Sequence, residues 1–282
     1  MSLGDKFAEW ARDEAAISGL VMIGSQVREA AAAGAADAHS DFDFQVITTR
    51  PGAFEDVDWW RQTGLGRPIA QVIRGGRLGS ARKATVLFPE GEIDLVVLPA
   101  TRMRRLGWLA RLRLLRFFPA ASQGLVDLAT VLRGGYRVIK GEATWGALYR
   151  RAAQEVPPIR LSDEQVRTLA DGFVCDYVST RRKIERGELI AAQRWLHLQL
   201  VETNFKLLHE LRQRAGQPSF PDARRIEFLL EDGLRDAVSV EVGLEQASLS
   251  RALEKSAGTC RLLVRELLGP AWQWPDLTAL FA

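Results

Sequence analysis

Two consecutive prolines, Pro157-Pro158, separate stretches of different rhythm. Neither continues a helix, and each biases the residue before it toward extended backbone. Before them the chain runs in short apolar segments broken by glycine turns. After them, helical periodicity is sustained over residues 162–186, 188–214, 222–237 and 242–268. Ser162 stands three residues before Gln165, the spacing of a capping box at a helix start. The expectation is an α+β chain. A sheet-containing part spans residues 1–156, and an all-helical part spans residues 157–282.

With 282 residues and 47% apolar content, the chain has material for substantial cores. No apolar run approaches the ~20 residues that span a bilayer. The first residues lack a basic stretch followed by an apolar one, so no secretory leader is expected. Cys175 and Cys260 lie far apart, which fits a reducing cytoplasm better than a disulfide framework. The net charge of +3 does not make a polycation, and nucleic acid is not expected as a partner. A membrane is not expected either.

Residues 4–18 read as an amphipathic helix carrying Phe7, Trp10 and Ala11. Leu20–Ile23 reads as a buried strand ending in Gly24-Ser25, a turn able to aim backbone N–H groups and a hydroxyl at a phosphate. Residues 41–48 read as a second strand. Phe42, Phe44 and Val46 would face one way, and Asp41, Asp43, Gln45 and Ile47 the other. Aspartate is a poor strand former, and two on one face repel each other, so a cation is the usual reason to keep them. Residues 53–62 read as a helix. The glycine-rich Gly75–Ser80 segment matches neither a Walker loop nor a dinucleotide fingerprint and reads as a loop. Residues 84–88 and 92–98 form the clearest hairpin. Its second strand holds Asp94 inside an apolar run, where a carboxylate must be paired, protonated or metal-bound. Asp94 is the natural third ligand beside Asp41 and Asp43. Residues 101–118 hold six arginines and no acid, which suits either a solvated amphipathic helix or a basic wall beside a polyphosphate or nucleic acid. Tyr136–Lys140 reads as a further strand.

Gly24-Ser25, then Asp41-Phe-Asp43, then Leu87–Pro99 with its single Asp94, together resemble the nucleotidyltransferase superfamily. With the Phe54–Trp60 segment, they resemble more closely the aminoglycoside 6-adenylyltransferase (streptomycin adenylyltransferase) family. That resemblance implies a nucleotidyltransferase-type mixed sheet with flanking helices, followed by a helical domain that helps bind the acceptor. It implies an enzyme that moves a nucleoside monophosphate, AMP first among them, from ATP or another NTP to a hydroxyl of a small molecule such as an aminoglycoside, releasing pyrophosphate. Asp41, Asp43 and Asp94 match the family's metal-binding and catalytic carboxylates, serving two Mg²⁺ ions. Asp94 is the candidate for deprotonating the acceptor, and Gly24 and Ser25 match the nucleotide-phosphate turn. Gln26 stands where the family often has arginine, and Arg28 is the nearby candidate to replace it. Leu132-Arg-Gly-Gly135 stands where the family tends to have acidic residues. Two other readings keep the fold: an RNA or protein acceptor, and a non-catalytic nucleotide sensor.

Overall fold

The computed structural model describes residues 1–28, 35–56, 58–75, 81–220 and 223–280. The chain divides into two compact units, Met1–Ile159 and Arg160–Ala282. It is α+β: a mixed six-stranded sheet with flanking helices occupies the first unit, and the second is helical among its described residues.

In the first unit, α1 (Leu3–Asp13) begins at a capping box in which Ser2 and Asp5 satisfy each other's backbone N–H groups. It ends earlier than its periodicity predicts, because Ile17, Ser18 and Gly19 already belong to β1 (Ile17–Ile23). Tertiary pairing overrides helix propensity there: Ile17 opposes Thr48 across the sheet. β2 spans Phe42–Thr48, β3 Ala70–Gly75, β4 Arg82–Phe88, β5 Gly91–Pro99 and β6 Tyr136–Lys140. The strand order is β3-β4-β5-β2-β1-β6. Only β2 and β5 run parallel; the other neighbours are antiparallel.

The sheet is covered on both faces. Phe42, Phe44 and Val46 of β2 and Ile93, Leu95 and Val97 of β5 pack with Phe7 and Ala11 of α1. On the opposite face, Ile47 and Leu98 pack under α2 (Ala100–Arg111), α3 (Pro119–Leu132) and α4 (Glu142–Glu155). β2 therefore alternates as its pattern requires, with Asp43, Gln45 and Ile47 turned away from α1. The helix expected over residues 53–62 is instead two 3₁₀ turns, Pro51–Phe54 and Trp59–Gln62. Phe54 and Trp59 still reach the α1 core, with ring centroids 5.5 Å apart. Val57 and residues 76–80 of the glycine-rich segment lie outside the described residues.

In the second unit, α5 (Asp163–Glu185) starts at the Ser162–Gln165 capping box and packs on α9 (Gln246–Leu268). The periodic stretch 188–214 is interrupted rather than continuous: α6 (Leu189–Trp195) and α7 (Glu202–Arg214) flank a π-helical turn, Leu196–Val201. In the 222–237 stretch, a 3₁₀ turn at Ile226–Phe228 precedes α8 (Asp232–Val238). Phe173, Leu196, Leu200, Leu208, Leu253 and Leu263 form a core wholly within this unit. Asn204 Nδ2 bonds the Ser256 carbonyl and hydroxyl inside it.

Candidate functional site

The site is built where three strands begin or end side by side. Ile23, the last residue of β1, opposes Asp43. Asp43 in turn stands level with Asp94 on the parallel neighbour β5. The chain leaves β1 through Gly24, at φ 80°. A Cβ built on Gly24 would stand 2.3 Å from Asp43 Oδ2, so only glycine lets the turn pass this close to the carboxylate. Ser25 follows in the 3₁₀ turn Gly24–Val27; it is 5% exposed, and its Oγ has no hydrogen-bond partner among the described residues. A buried, unsatisfied hydroxyl is costly unless a ligand supplies its partner. Gln26 Nε2 donates to the Asp41 carbonyl at 3.3 Å, so the residue standing in place of arginine steadies the start of the Asp-x-Asp segment. Arg28 Nε donates to the Gly134 carbonyl, which ties this side chain to the turn before β6.

Carboxylate oxygens of Asp41, Glu92 and Asp94 all lie within 4.8 Å of one another. Asp41 and Asp94 were legible in the sequence, but Glu92 was not. It stands two residues before Asp94, the same alternate spacing that marked Asp41 and Asp43, but at the first position of the strand expected over 92–98, ahead of the apolar run that singled out Asp94. Asp43 has its carboxylate beside Gly24 rather than in this group of three.

Asp94 is 4% exposed and paired. β4 supplies both partners: Lys83 Nζ forms an ion pair with Oδ2, and Thr85 Oγ1 donates to Oδ1 at 2.5 Å. Thr85 is the register partner of Asp94, and Lys83 lies two residues before it on the same face. Sequence reasoning missed both, because the pairing depends on how the hairpin closes. Glu92 has a raised pKa. Burial is the first cause, followed by the charges of Asp94 and Asp41, with Lys83 opposing them. The three carboxylates thus outnumber the Lys83 ammonium paired within the group.

A cleft of about 560 Å³ opens beside it, lined by Ser2, Lys6, Gln26, Asp37, Asp41, Glu90 and Glu92 among others. This is the size of a small-molecule site, and among its described lining residues the acidic Asp37, Asp41, Glu90 and Glu92 outnumber Lys6 and His39. The carboxylates fit a hard divalent cation such as Mg²⁺, which takes oxygen ligands and keeps part of its water shell. Asp41 and Glu92 are half-buried and line the cleft, while Asp94 is buried behind the lining and paired with Lys83.

No family model and no curated protein matches this chain. Among solved structures, it is similar to an aminoglycoside 6-adenyltransferase from Bacillus subtilis at 13% identity and a TM-score of 0.41, covering 100% of this chain and 96% of that one. It is also similar to a nucleotidyltransferase-like protein from Exiguobacterium sibiricum 255-15 at 13% identity and a TM-score of 0.35, covering 94% of this chain and 74% of that one.

Proposed function

We propose that the protein is a nucleotidyltransferase that moves a nucleoside monophosphate, AMP first among them, from an NTP to a hydroxyl of a small cationic acceptor. The observation that carries this reading is the fit of Gly24 against the Asp43 carboxylate, level with Asp94 and followed by the unpartnered Ser25 hydroxyl. A turn for phosphate, touching a carboxylate for metal, is the juxtaposition that transfer from a triphosphate requires.

Asp41, Asp43, Glu92 and Asp94 are the residues to hold divalent metal, Mg²⁺ by their oxygen chemistry. Bound metal would neutralise the triphosphate and the developing charge on the leaving group. The chain's own groups do the rest. The Gly24-Ser25 turn takes the phosphates, with Ser25 Oγ donating into them. Gln26 and the β2–β5 pairing hold the carboxylates in place before substrate arrives, so that little reorganisation accompanies the reaction. The acceptor oxygen bonds to the α-phosphorus, the bond from that phosphorus to the α–β bridging oxygen breaks, and pyrophosphate leaves with the electron pair. The acceptor's proton passes to a carboxylate. Glu92 is better placed for this than Asp94, because it lines the cleft while both Asp94 oxygens already accept bonds from β4.

The acidic lining of the cleft favours a cationic acceptor over a polyanionic one. An aminoglycoside has that charge and offers hydroxyls, and the helical unit is the part of the chain we assign to acceptor binding. Pyrophosphate release from ATP and from GTP, measured with Mg²⁺ over a panel of aminoglycosides and other polyamino alcohols, tests the reading. Wild-type turnover with at least one cationic hydroxyl compound is expected, with a loss of at least about 100-fold in Asp43→Ala. An Asp43→Ala protein with nearly full activity would refute it.

A further inference from the structure

The arginine-rich segment has no place in the site described above. β5 carries Asp94 near its start, and the chain runs on through Leu98 and Pro99 into α2. At ~3.3 Å per residue the arginines begin ~20 Å from the carboxylates, at the other end of the strand. The segment therefore starts at the end of β5 opposite the carboxylates.

What stands there is an unusual surface. Arg102, Arg104, Arg105, Arg111, Arg113 and Arg116 are all exposed, and none pairs with a carboxylate among the described residues. Trp108, Leu112 and Phe117 are exposed between them at 57%, 48% and 62%. Arg104, Trp108, Arg111 and Leu112 follow the i, i+4, i+7, i+8 spacing of one helix face. Beside this face a cavity of about 750 Å³ lies between α2 and α3. Its walls are Met103, Leu106, Leu109, Phe118 and Leu128, with Arg102 and Arg105 also lining it. Among the described lining residues Asp127 is the one acid, and Gln123 donates to that carboxylate at 2.8 Å.

We propose that this face docks on bilayers containing anionic phospholipid, with the arginines at headgroup phosphates and Trp108, Leu112 and Phe117 at the acyl boundary. A face of arginines that pair with no carboxylate among the described residues is complementary to an anionic surface. Exposed aliphatic and aromatic side chains with arginines around them are the composition of an interfacial helix. The apolar cavity takes hydrocarbon, which a lipid has and a nucleic acid lacks. The rings of Phe117 and Phe118 already have the guanidinium groups of Arg116 and Arg105 over them, 4.7 and 6.0 Å from the centroids, so they are poorly free to stack bases. No helix among the described residues is long and apolar enough to cross a membrane, so the contact is peripheral. This inference is independent of the proposed reaction.

The test is co-sedimentation of the full chain with phosphatidylcholine vesicles, with and without phosphatidylglycerol, at low and high salt. Binding is expected to the anionic vesicles and to weaken with salt. Arg104→Glu/Arg105→Glu is expected to weaken it at least about tenfold, at roughly fivefold or more per lost charge. Trp108→Ser is expected to weaken it with every charge retained. An unchanged thermal midpoint shows that each variant is folded, and should the double variant fail to fold, Trp108→Ser alone decides. No binding, equal pelleting with neutral vesicles, or variants that bind as wild type would overturn the proposal. So would a single-stranded RNA oligonucleotide that binds this face, by fluorescence anisotropy, while anionic vesicles do not.

Discussion

Lys83 and Glu92 set the electrostatic state of the Asp94 neighbourhood before any ligand arrives. The Lys83 ammonium is the counter-ion of a carboxylate that is 4% exposed. Replacing it by methionine keeps the apolar stem and leaves a buried charge unpaired. Lys83→Met is expected to lower stability by about 2 kcal/mol, less than for a fully buried pair because the lysine is part-exposed. Added Mg²⁺ should raise the melting midpoint of this variant more than that of wild type. Equal shifts in the two proteins would remove Asp94 from the proposed metal site. Glu92 works in the opposite sense. Its folded pKa lies above the ordinary 4.5, so the native state holds its proton more tightly than the unfolded chain. The penalty from Glu92 is absent at pH values below the ordinary one, grows as pH rises through the window up to the raised value, and is complete above it. Glu92→Gln in chelator-treated buffer should match wild type in acid and melt higher at neutral pH. A constant difference at every pH would show that the effect is not electrostatic.

At the scale of the element, the end of α2 stores strain. Leu114 N–H bonds the Leu109 carbonyl and Arg113 N–H bonds the Ala110 carbonyl, the paired bonds of a Schellman termination. That motif places its turning residue in the left-handed region, where glycine is usual, yet Arg113 sits there at φ 57°. Arg113→Gly is expected to stabilise the protein by about 0.5 kcal/mol, the relief of ~1 kcal/mol of strain less the entropy glycine gains when unfolded. Chemical denaturation reads this directly, and destabilisation would show that the arginine side chain holds the turn. The same variant removes one of the six arginines of the proposed lipid-facing surface, so stability and vesicle binding should move in opposite directions. Gln45 shows how an element can carry polar groups into a core. Its side chain faces α4, where Oε1 accepts from the fully buried Tyr149 hydroxyl at 2.6 Å. Burial raises the pKa of that phenol, so it stays neutral and keeps donating.

At the scale of the molecule, each unit owns its core. Among the described residues, the cores around Phe7 and Tyr149 draw on residues before 160, and the core around Leu253 on residues after it. Scanning calorimetry should therefore resolve two transitions, because cooperativity follows shared buried contacts. Leu253→Ala, which empties a 2% exposed position on α9, is expected to cost its own unit about 2–4 kcal/mol and to shift one transition alone. A single transition that moves as a whole would show that the units unfold together.

The sequence by itself determined the α+β class, because strand alternation and helical periodicity are local properties of the chain. It also marked Gly24, Asp41, Asp43 and Asp94 as residues in need of a reason, since two carboxylates on one strand face and one in an apolar run conflict with burial. The same reasoning placed Phe42, Phe44 and Val46 on one face of β2, and they pack there against α1. Where local rules compete, the reading slipped. Ile17 and Ser18 looked like the end of α1 but belong to β1, where Ile17 pairs with Thr48, and the burial of Phe54 and Trp59 goes with two 3₁₀ turns, Pro51–Phe54 and Trp59–Gln62, in place of a helix. Strand register belongs to the tertiary structure, because it follows from which strands meet and at what offset. Register sets Asp43 level with Asp94, brings Lys83 and Thr85 of β4 onto that carboxylate, and draws Glu92 into the acidic group. The course of β5 also starts the arginine segment at the opposite end of that strand from Asp94.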